Sequence, residues 1–270
     1  MKIGRREFDT AHHTYIMGIL NVTPDSFSDG GKYRSLDAAL FRVEEMLEQG
    51  MDILDIGGES TRPGYRAVDC KEEMERVLPV IRAVKERFDV PVSLDTCKAV
   101  VAEEGIREGA DLINDIWGLK SDPKMAGVIA DAGAACVLMH NRKEAVYEDF
   151  LRDVMGDLRE TILLAEQARI DREKIILDPG IGFGKTYEHN LQMLHSLESL
   201  NAPGFPVLLG ASRKSVIGLT LELPVTERLE GTLATTVIGV LKGCAFVRVH
   251  DIKENVRAVK MAEAILNAGI

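Results

Sequence analysis

Asn21, Asp95, Asn114, Asp178, Arg248 and His250 stand at or just past the end of short apolar runs, most of them near a turn former. Apolar runs of this kind read as buried parallel strands. A polar residue at the carboxyl end of such a strand points to where α/β enzymes build their sites. The residue types divide into two chemistries. Amides and carboxylates (Asn21, Asp95, Asn114, Asp178) offer acceptors and donors to the edge of a flat heterocycle. Arg62, Lys214, Arg248 and His250 suit a phosphate or carboxylate. Together they predict one assembled site for a ligand with a hydrogen-bonding ring at one end and anionic groups at the other.

The loops between the runs carry the rest. Asp178-Pro179-Gly180-Ile181-Gly182-Phe183-Gly184-Lys185 looks like a phosphate loop, but Pro179 stands where the Walker pattern needs its first glycine. Lys185 stands where the dinucleotide pattern needs its third. Nucleotide binding is therefore not expected, although the glycines let backbone approach a ligand closely. Glu59-Ser60-Thr61-Arg62-Pro63-Gly64 combines a hydroxyl, a guanidinium and a stiffening proline. Ser212-Arg213-Lys214-Ser215 places two cations and two hydroxyls at the expected start of a short helix. Free N–H groups there suit an anion, and barrels often bind phosphate after this strand. Asn21 opens a polar loop through Phe27 to Gly31, and its side-chain oxygen suits Mg²⁺. Taken singly, each stretch is also an ordinary polar turn. Met139-His140 stays open between packing on a ring and structural support. His12-His13 has no third ligand at metal-binding spacing. No GxSxG, HExxH or cysteine nucleophile motif occurs.

Strands are predicted near residues 15–21, 51–56, 91–95, 111–115, 134–139, 174–178, 206–210 and 245–249. Helices are predicted near 35–49, 69–88, 97–108, 122–132, 149–168, 187–199, 226–242 and 252–267. In the first helix Leu36, Ala39, Leu40, Val43 and Leu47 form one apolar stripe, with Ser35 as its expected cap, Asp37 in its first turn and Gly50 at its end. Asp251 and Glu254 have capping-box spacing before the last helix. About eight βα units predict an α/β (β/α)8 TIM barrel, with residues 2–13 as a short N-terminal hairpin closing its floor. An open doubly wound sheet also alternates, but the unit count and the missing dinucleotide fingerprint favour the barrel.

No linker interrupts this alternation, so residues 1–270 read as a single domain. A formal net charge of −10 gives no reason to expect nucleic acid or an anionic membrane surface as partner. No signal-peptide pattern and no membrane-spanning run are seen, and the four cysteines (Cys70, Cys97, Cys136, Cys244) read as buried reduced thiols. A cytoplasmic protein is expected.

The stretches Asn21–Gly31, Glu59–Gly64, Asp95-Thr96, Asn114-Asp115, Met139-His140, Asp178–Lys185, Ser212–Ser215 and Arg248–Asp251 together closely resemble the dihydropteroate synthase family, in its order and over nearly the whole chain. After His140 the chain reads Asn141-Arg142-Lys143, where many members carry a Gln-Gly-containing loop. The resemblance implies a (β/α)8 pterin-binding barrel, a transferase of folate (tetrahydrofolate) biosynthesis. It condenses 6-hydroxymethyl-7,8-dihydropterin diphosphate with 4-aminobenzoate to 7,8-dihydropteroate and diphosphate. It further implies Mg²⁺ as cofactor with Asn21 as metal ligand, a homodimer, and a sulfonamide target. The implied pterin contacts are Asp95, Asn114, Met139, Asp178, Lys214 and Arg248. Diphosphate falls to Asn21, Thr61, Arg248 and His250, and aminobenzoate to Thr61, Arg62, Pro63, Phe183 and Ser215, with Phe27 beside them. Lys214, Arg248 and His250 are the implied catalytic residues, Arg248 either stacking on the ring or gripping diphosphate. Two other readings are a pterin-binding methyltransferase barrel serving a corrinoid, and a barrel that binds pterin without turnover. Arg62, Ser212–Ser215 and Arg248-Val249-His250 argue against the first, and the full complement of site residues against the second.

Overall fold

The computed structural model describes residues 1–22, 31–59 and 68–268, with residues 31–35 described by backbone alone. Eight parallel strands make the sheet: β3 (Tyr15–Asn21), β4 (Ile53–Gly57), β5 (Val92–Asp95), β6 (Leu112–Asp115), β7 (Ala135–Met139), β8 (Ile175–Asp178), β9 (Leu208–Leu209) and β10 (Phe246–Val249). Their spatial order is β8-β7-β6-β5-β4-β3-β10-β9. A parallel bridge between Leu177 and Val207, with Leu177 N–H donating to the Pro206 carbonyl at 2.9 Å, joins the two ends and closes the barrel. The expected hairpin is present as β1 (Lys2–Ile3) and β2 (Arg6–Glu7), paired antiparallel.

Helices α1 (Gly31–Glu48), α2 (Cys70–Arg87), α3 (Ala99–Arg107), α4 (Met125–Ala132), α5 (Phe150–Gln167) and α6 (Tyr187–His195) follow the first six barrel strands in turn. The seventh strand is followed by a short α7 (Ser215–Leu221) and then α8 (Leu229–Leu241), and the eighth by α9 (Ile252–Asn267). α7 is the short helix expected to start at Ser212–Ser215. α1 begins at Gly31, ahead of its apolar stripe, so Ser35 lies inside the helix and is not its cap, and Asp37 is past its first turn. The stripe marks only the face that packs and carries no information about the turn before it. Asp251 does precede α9, but its side chain caps nothing. Arg213 takes that carboxylate, its Nε donating to Oδ2 at 3.0 Å. The helix predicted over 187–199 ends at His195 and continues as a 3₁₀ turn, Leu197–Asn201.

Strand alternation divides the apolar residues into two cores. Ile16, Leu54, Leu94, Ile113, Leu138 and Leu177 pack outward against the helices. Met17, Ile53, Leu112, Val137, Ile176, Leu208 and Phe246 fill the barrel axis, and Ile3 and Phe8 of the N-terminal segment complete that inner cluster. Phe8 meets Tyr15 edge to face at 4.7 Å between ring centroids, which seals the floor. All four cysteines are free. Cys136 and Cys244 are buried as expected, whereas Cys70 and Cys97 are only half-buried. No described helix is long and apolar enough to cross a membrane.

Candidate active site

Above the apolar inner layer the same alternation turns polar side chains inward. On β5, Val92 and Leu94 join the outer core, so Ser93 and Asp95 face the axis. On β6 and β8 the same parity selects Asn114 and Asp178, and on β10 Arg248. Register brings their ends level: Asp95 pairs with Gly57 and with Asn114, and Met139 with Asp178. The repeated polar strand endings in the sequence are therefore one ring at the carboxyl mouth of the barrel.

Arg248 reaches across this ring. Its Nε donates to Asp55 Oδ2 at 2.7 Å and its Nη2 to Asp95 Oδ2 at 2.8 Å. Ser93 Oγ donates to the other Asp55 oxygen at 2.5 Å. Asp55 is wholly inaccessible. Burial works against the Arg248 charge, but Asp55 and Asp95 hold it above its ordinary range. Burial pushes Asp95 up to about 7, with Arg248 pulling the other way. Two carboxylates thus already bracket the guanidinium, which favours its flat face as a platform for a ring over a role as the main diphosphate cation. Sequence reasoning missed Asp55 and Ser93. The available signal was a charged residue inside the run Ile53-Leu54-Asp55-Ile56.

Asp178 faces Lys214 across Gly210. A methyl group on Gly210 would lie 3.6 Å from Asp178 Oδ2, 3.9 Å from Lys214 Nζ and 4.0 Å from Arg248 Cβ. Asp178 Oδ1 accepts from Gly180 N–H at 2.6 Å. Burial raises the Asp178 carboxyl and Lys214 opposes it; burial likewise lowers Lys214, to about 8. Lys214 Nζ donates to the Ile181 carbonyl and lies 4.6 Å from the Phe183 ring centroid. Gly180 has φ +68°, and any Cβ there would collide with the His140 carbonyl oxygen, so both backbone and space require glycine.

Asn114 is 3% exposed, and no described group hydrogen-bonds its side-chain amide. Met139 is equally buried beside it at the strand end. His140 is turned into the structure, its ring between Lys185 and Asp157, which decides its open reading for structural support. His250 Nδ1 lies 2.9 Å from Ser212 Oγ, at the ends of β10 and β9. Ser215 is exposed at the first position of α7. Asn21 ends β3 half-buried; a methyl on Gly57 would lie 3.9 Å from its Oδ1 and 3.8 Å from Asp95 Oδ2. A cavity of about 490 Å³ opens beside the ring at Asp95, lined also by Thr96, Trp117, Arg142, Gly182 and Phe183. Glu59, from the Glu59–Gly64 stretch, also faces it, as do Glu73 and Cys97, to which the sequence reading gave no site role. Phe27, Thr61, Arg62 and Pro63 lie outside the described residues.

A closed parallel barrel whose carboxyl mouth gathers a buried amide, carboxylates and a lysine, with a cavity beside them, defines a (β/α)8 enzyme that binds a flat, hydrogen-bonding heterocycle. The sequence model for pterin-binding enzymes matches residues 17–250. A dihydropteroate synthase from Clostridium beijerinckii is 58% identical over 98% of this chain and 99% of its own length. That of Bacillus subtilis is 56% identical over 95% and 90%. The crystal structure of a Clostridium difficile dihydropteroate synthase in the presence of pteroic acid superimposes with a TM-score of 0.94, at 49% identity over 96% of this chain and 99% of that one. The Xanthomonas albilineans dihydropteroate synthase with 4-aminobenzoic acid gives 0.90, at 41% identity over 95% and 94%. The chain belongs to the dihydropteroate synthase family of pterin-binding enzymes.

Proposed function

We propose that the enzyme joins 6-hydroxymethyl-7,8-dihydropterin diphosphate to 4-aminobenzoate, giving 7,8-dihydropteroate and diphosphate, with the ring of strand-end residues as its pterin pocket. The observation that carries this reading is the convergence of Asp178, Lys214 and Arg248 around Gly210 at the carboxyl mouth. A pterin edge presents ring nitrogens, an amino group and a carbonyl oxygen. Asp178 Oδ2 and the Asn114 amide answer the donors and acceptors, Lys214 the carbonyl side, and Arg248 and Met139 flank the plane. Stripping that edge of water without partners would cost roughly 1–3 kcal/mol per group, so the pocket must supply them.

His250 and Arg248, with Asn21 and Thr61, face the diphosphate in this reading. Ser215 at the start of α7 receives the aminobenzoate carboxylate, beside Phe183, Thr61, Arg62 and Pro63. Mg²⁺ fits the donor set: Asn21 offers one hard oxygen near the Asp95 carboxylate, and Mg²⁺ commonly takes one or two protein oxygens, substrate phosphate and water. When bound, the ion supplies charge stabilisation to the leaving diphosphate.

The substitution proceeds with the C–O bond breaking first, its electron pair leaving with diphosphate. The cation left on the methylene carbon is delocalised into the electron-rich dihydropterin, which the carboxylates Asp95 and Asp178 stabilise electrostatically. The aniline nitrogen then forms the new C–N bond and gives up a proton. No strong general base is needed, because the amine is already a nucleophile. Water is the competitor, so the walls of the cavity serve to exclude it. Positional isotope exchange within the diphosphate, without aminobenzoate, is the expected signature; its absence while released diphosphate can rotate and return would count against cleavage preceding attack.

The direct test is diphosphate release by purified enzyme given Mg²⁺, the pterin diphosphate and 4-aminobenzoate. Release matched by dihydropteroate formation supports the assignment. Pterin binding without release would overturn it.

A further inference from the structure

Lys185 lies behind the pocket wall and takes no part in the chemistry above. Its Nζ is 2.8 Å from His140 Nδ1, 2.9 Å from the Gly180 carbonyl oxygen and 3.1 Å from that of Phe183. On the far side of His140, Nε2 is 3.0 Å from Asp157 Oδ2. Arg142 holds the same carboxylate, Nε to Oδ2 at 2.6 Å and Nη2 to Oδ1 at 3.1 Å. The direction of each bond can be worked out from the far end. Hydrogen bonds from Arg142 and His140 outweigh burial and keep Asp157 below the usual carboxylate range, so it accepts only. His140 Nε2 therefore carries the proton, and Nδ1 presents a lone pair. Burial brings Lys185 down to about 7 with Asp178 opposing it, but the amine faces three acceptors and meets all of them only as the three-donor ammonium. With every N–H committed, it has none left for substrate.

What these bonds hold is the turn after β8. Its carbonyls divide between two lysines: Gly180 and Phe183 face Lys185 on one side, and Ile181 faces Lys214 on the other. The turn docks on the segment after β7 at further points. Tyr147 hydroxyl donates to the Gly184 carbonyl at 2.7 Å, and the Arg142 guanidinium lies 4.3 Å from the Tyr147 ring centroid. We propose that Lys185, backed by His140, Asp157 and Arg142, is a positioning residue for the reaction: it fixes the β8–α6 turn so that the Ile181 carbonyl and Phe183 ring meet Lys214 in the geometry both substrates need. This deepens, and rests on, the assignment of Lys214 and Phe183 to the substrates.

Charged and titratable groups face Lys185 from several neighbouring elements: Asp178 from β8, Lys214 from before α7, His140 and Arg142 from after β7, and Asp157 from α5. Burial and the neighbouring cations keep His140 neutral, down to about 3.

The test is Lys185→Met with steady-state kinetics and imidazole ¹⁵N NMR. A lost charge-assisted hydrogen bond predicts a rise of about tenfold or more in KM for both substrates, with kcat changing less. In the wild type His140 is neutral and protonated on Nε2; in the variant burial still keeps it neutral, but Nδ1 loses its hydrogen-bond donor and its ¹⁵N resonance moves downfield. Asp157→Asn attacks the network from its more exposed end and predicts a smaller change in the same direction. It becomes the deciding variant if Lys185→Met does not fold. Unchanged KM values in a folded variant, or a wild-type His140 protonated on Nδ1, would overturn the proposal. A wild type that forms no dihydropteroate counts against the proposed function instead, and the NMR arm, which needs no substrate, still decides the network.

Discussion

Asp178 has two oxygens, and the chain itself uses one of them, through Gly180 N–H. The other faces the space shared with Lys214. Asp178→Asn keeps the size of the side chain and removes its charge and one acceptor. It is expected to weaken pterin binding by about tenfold to a hundredfold, the worth of one hydrogen bond to a charged group, with the circular dichroism spectrum unchanged. Pterin titration of the purified variant checks this. Lys214 gives the pH dependence. Burial brings it down to about 8, so it is an ammonium below that pH and becomes the neutral amine as pH rises through it. Pterin affinity is expected to fall above about pH 8, and Lys214→Met to bind weakly without that dependence; isothermal titration across pH 6–10 reads both. Beneath these residues Asp55 acts through Arg248. With Ser93 it holds the guanidinium across the barrel, and an arginine this buried needs such partners to stay charged.

At the scale of elements, the site depends on turns more than on strands. The β8–α6 turn carries glycines at positions 180, 182 and 184, all with positive φ. Gly180 also sits against the His140 carbonyl, which a strand end holds in place. Gly180→Ala therefore faces strained backbone, at about 1–2 kcal/mol, together with a collision that neither partner can easily yield to. The expected outcome is a barrel that still folds, with a lowered denaturation midpoint and pterin binding largely lost, because the turn must move to admit the methyl. Urea unfolding and pterin titration separate the two effects. The short α7 belongs to the same scale. It places Lys214 and Ser215 at a helix start, after the strand where barrels commonly gather anionic groups.

For the whole molecule, the net charge of −10 leaves the bulk surface unattractive to polyanions. A diphosphate substrate therefore depends on individual groups at the mouth, where Arg248 and Lys214 already face carboxylates. Several of the large apolar side chains that stay exposed lie on the adjacent helices α7, α8 and α9. Leu219 on α7, Leu241 on α8, and Met261 and Ile265 on α9 are each more than half exposed, and α8 packs on both neighbouring helices. We propose this face as the homodimer contact. Sedimentation velocity is expected to show a dimer for the wild type and a shift toward monomer for Leu241→Glu combined with Ile265→Glu. A wild type that sediments as a monomer at micromolar concentration would remove the proposal.

The strand count, the hairpin and the polar strand ends that meet at the mouth were legible in the sequence, because each depends on local pattern. Period-two alternation and a polar terminus identify Asp95, Asn114 and Asp178 without any knowledge of their neighbours. Helix boundaries were less legible where no buried face marks them, as at the start of α1. What the sequence by itself determined was the set of groups at the mouth and the order of the elements that carry them. Which groups pair was decided by the order and register of the strands: Arg248 on β10 meets Asp55 on β4 across 193 residues of chain, and Lys185 after β8 meets His140 after β7 across 45. Those bonds depend on register and stagger around a closed sheet, a property of all eight strands together that no single stretch of sequence contains.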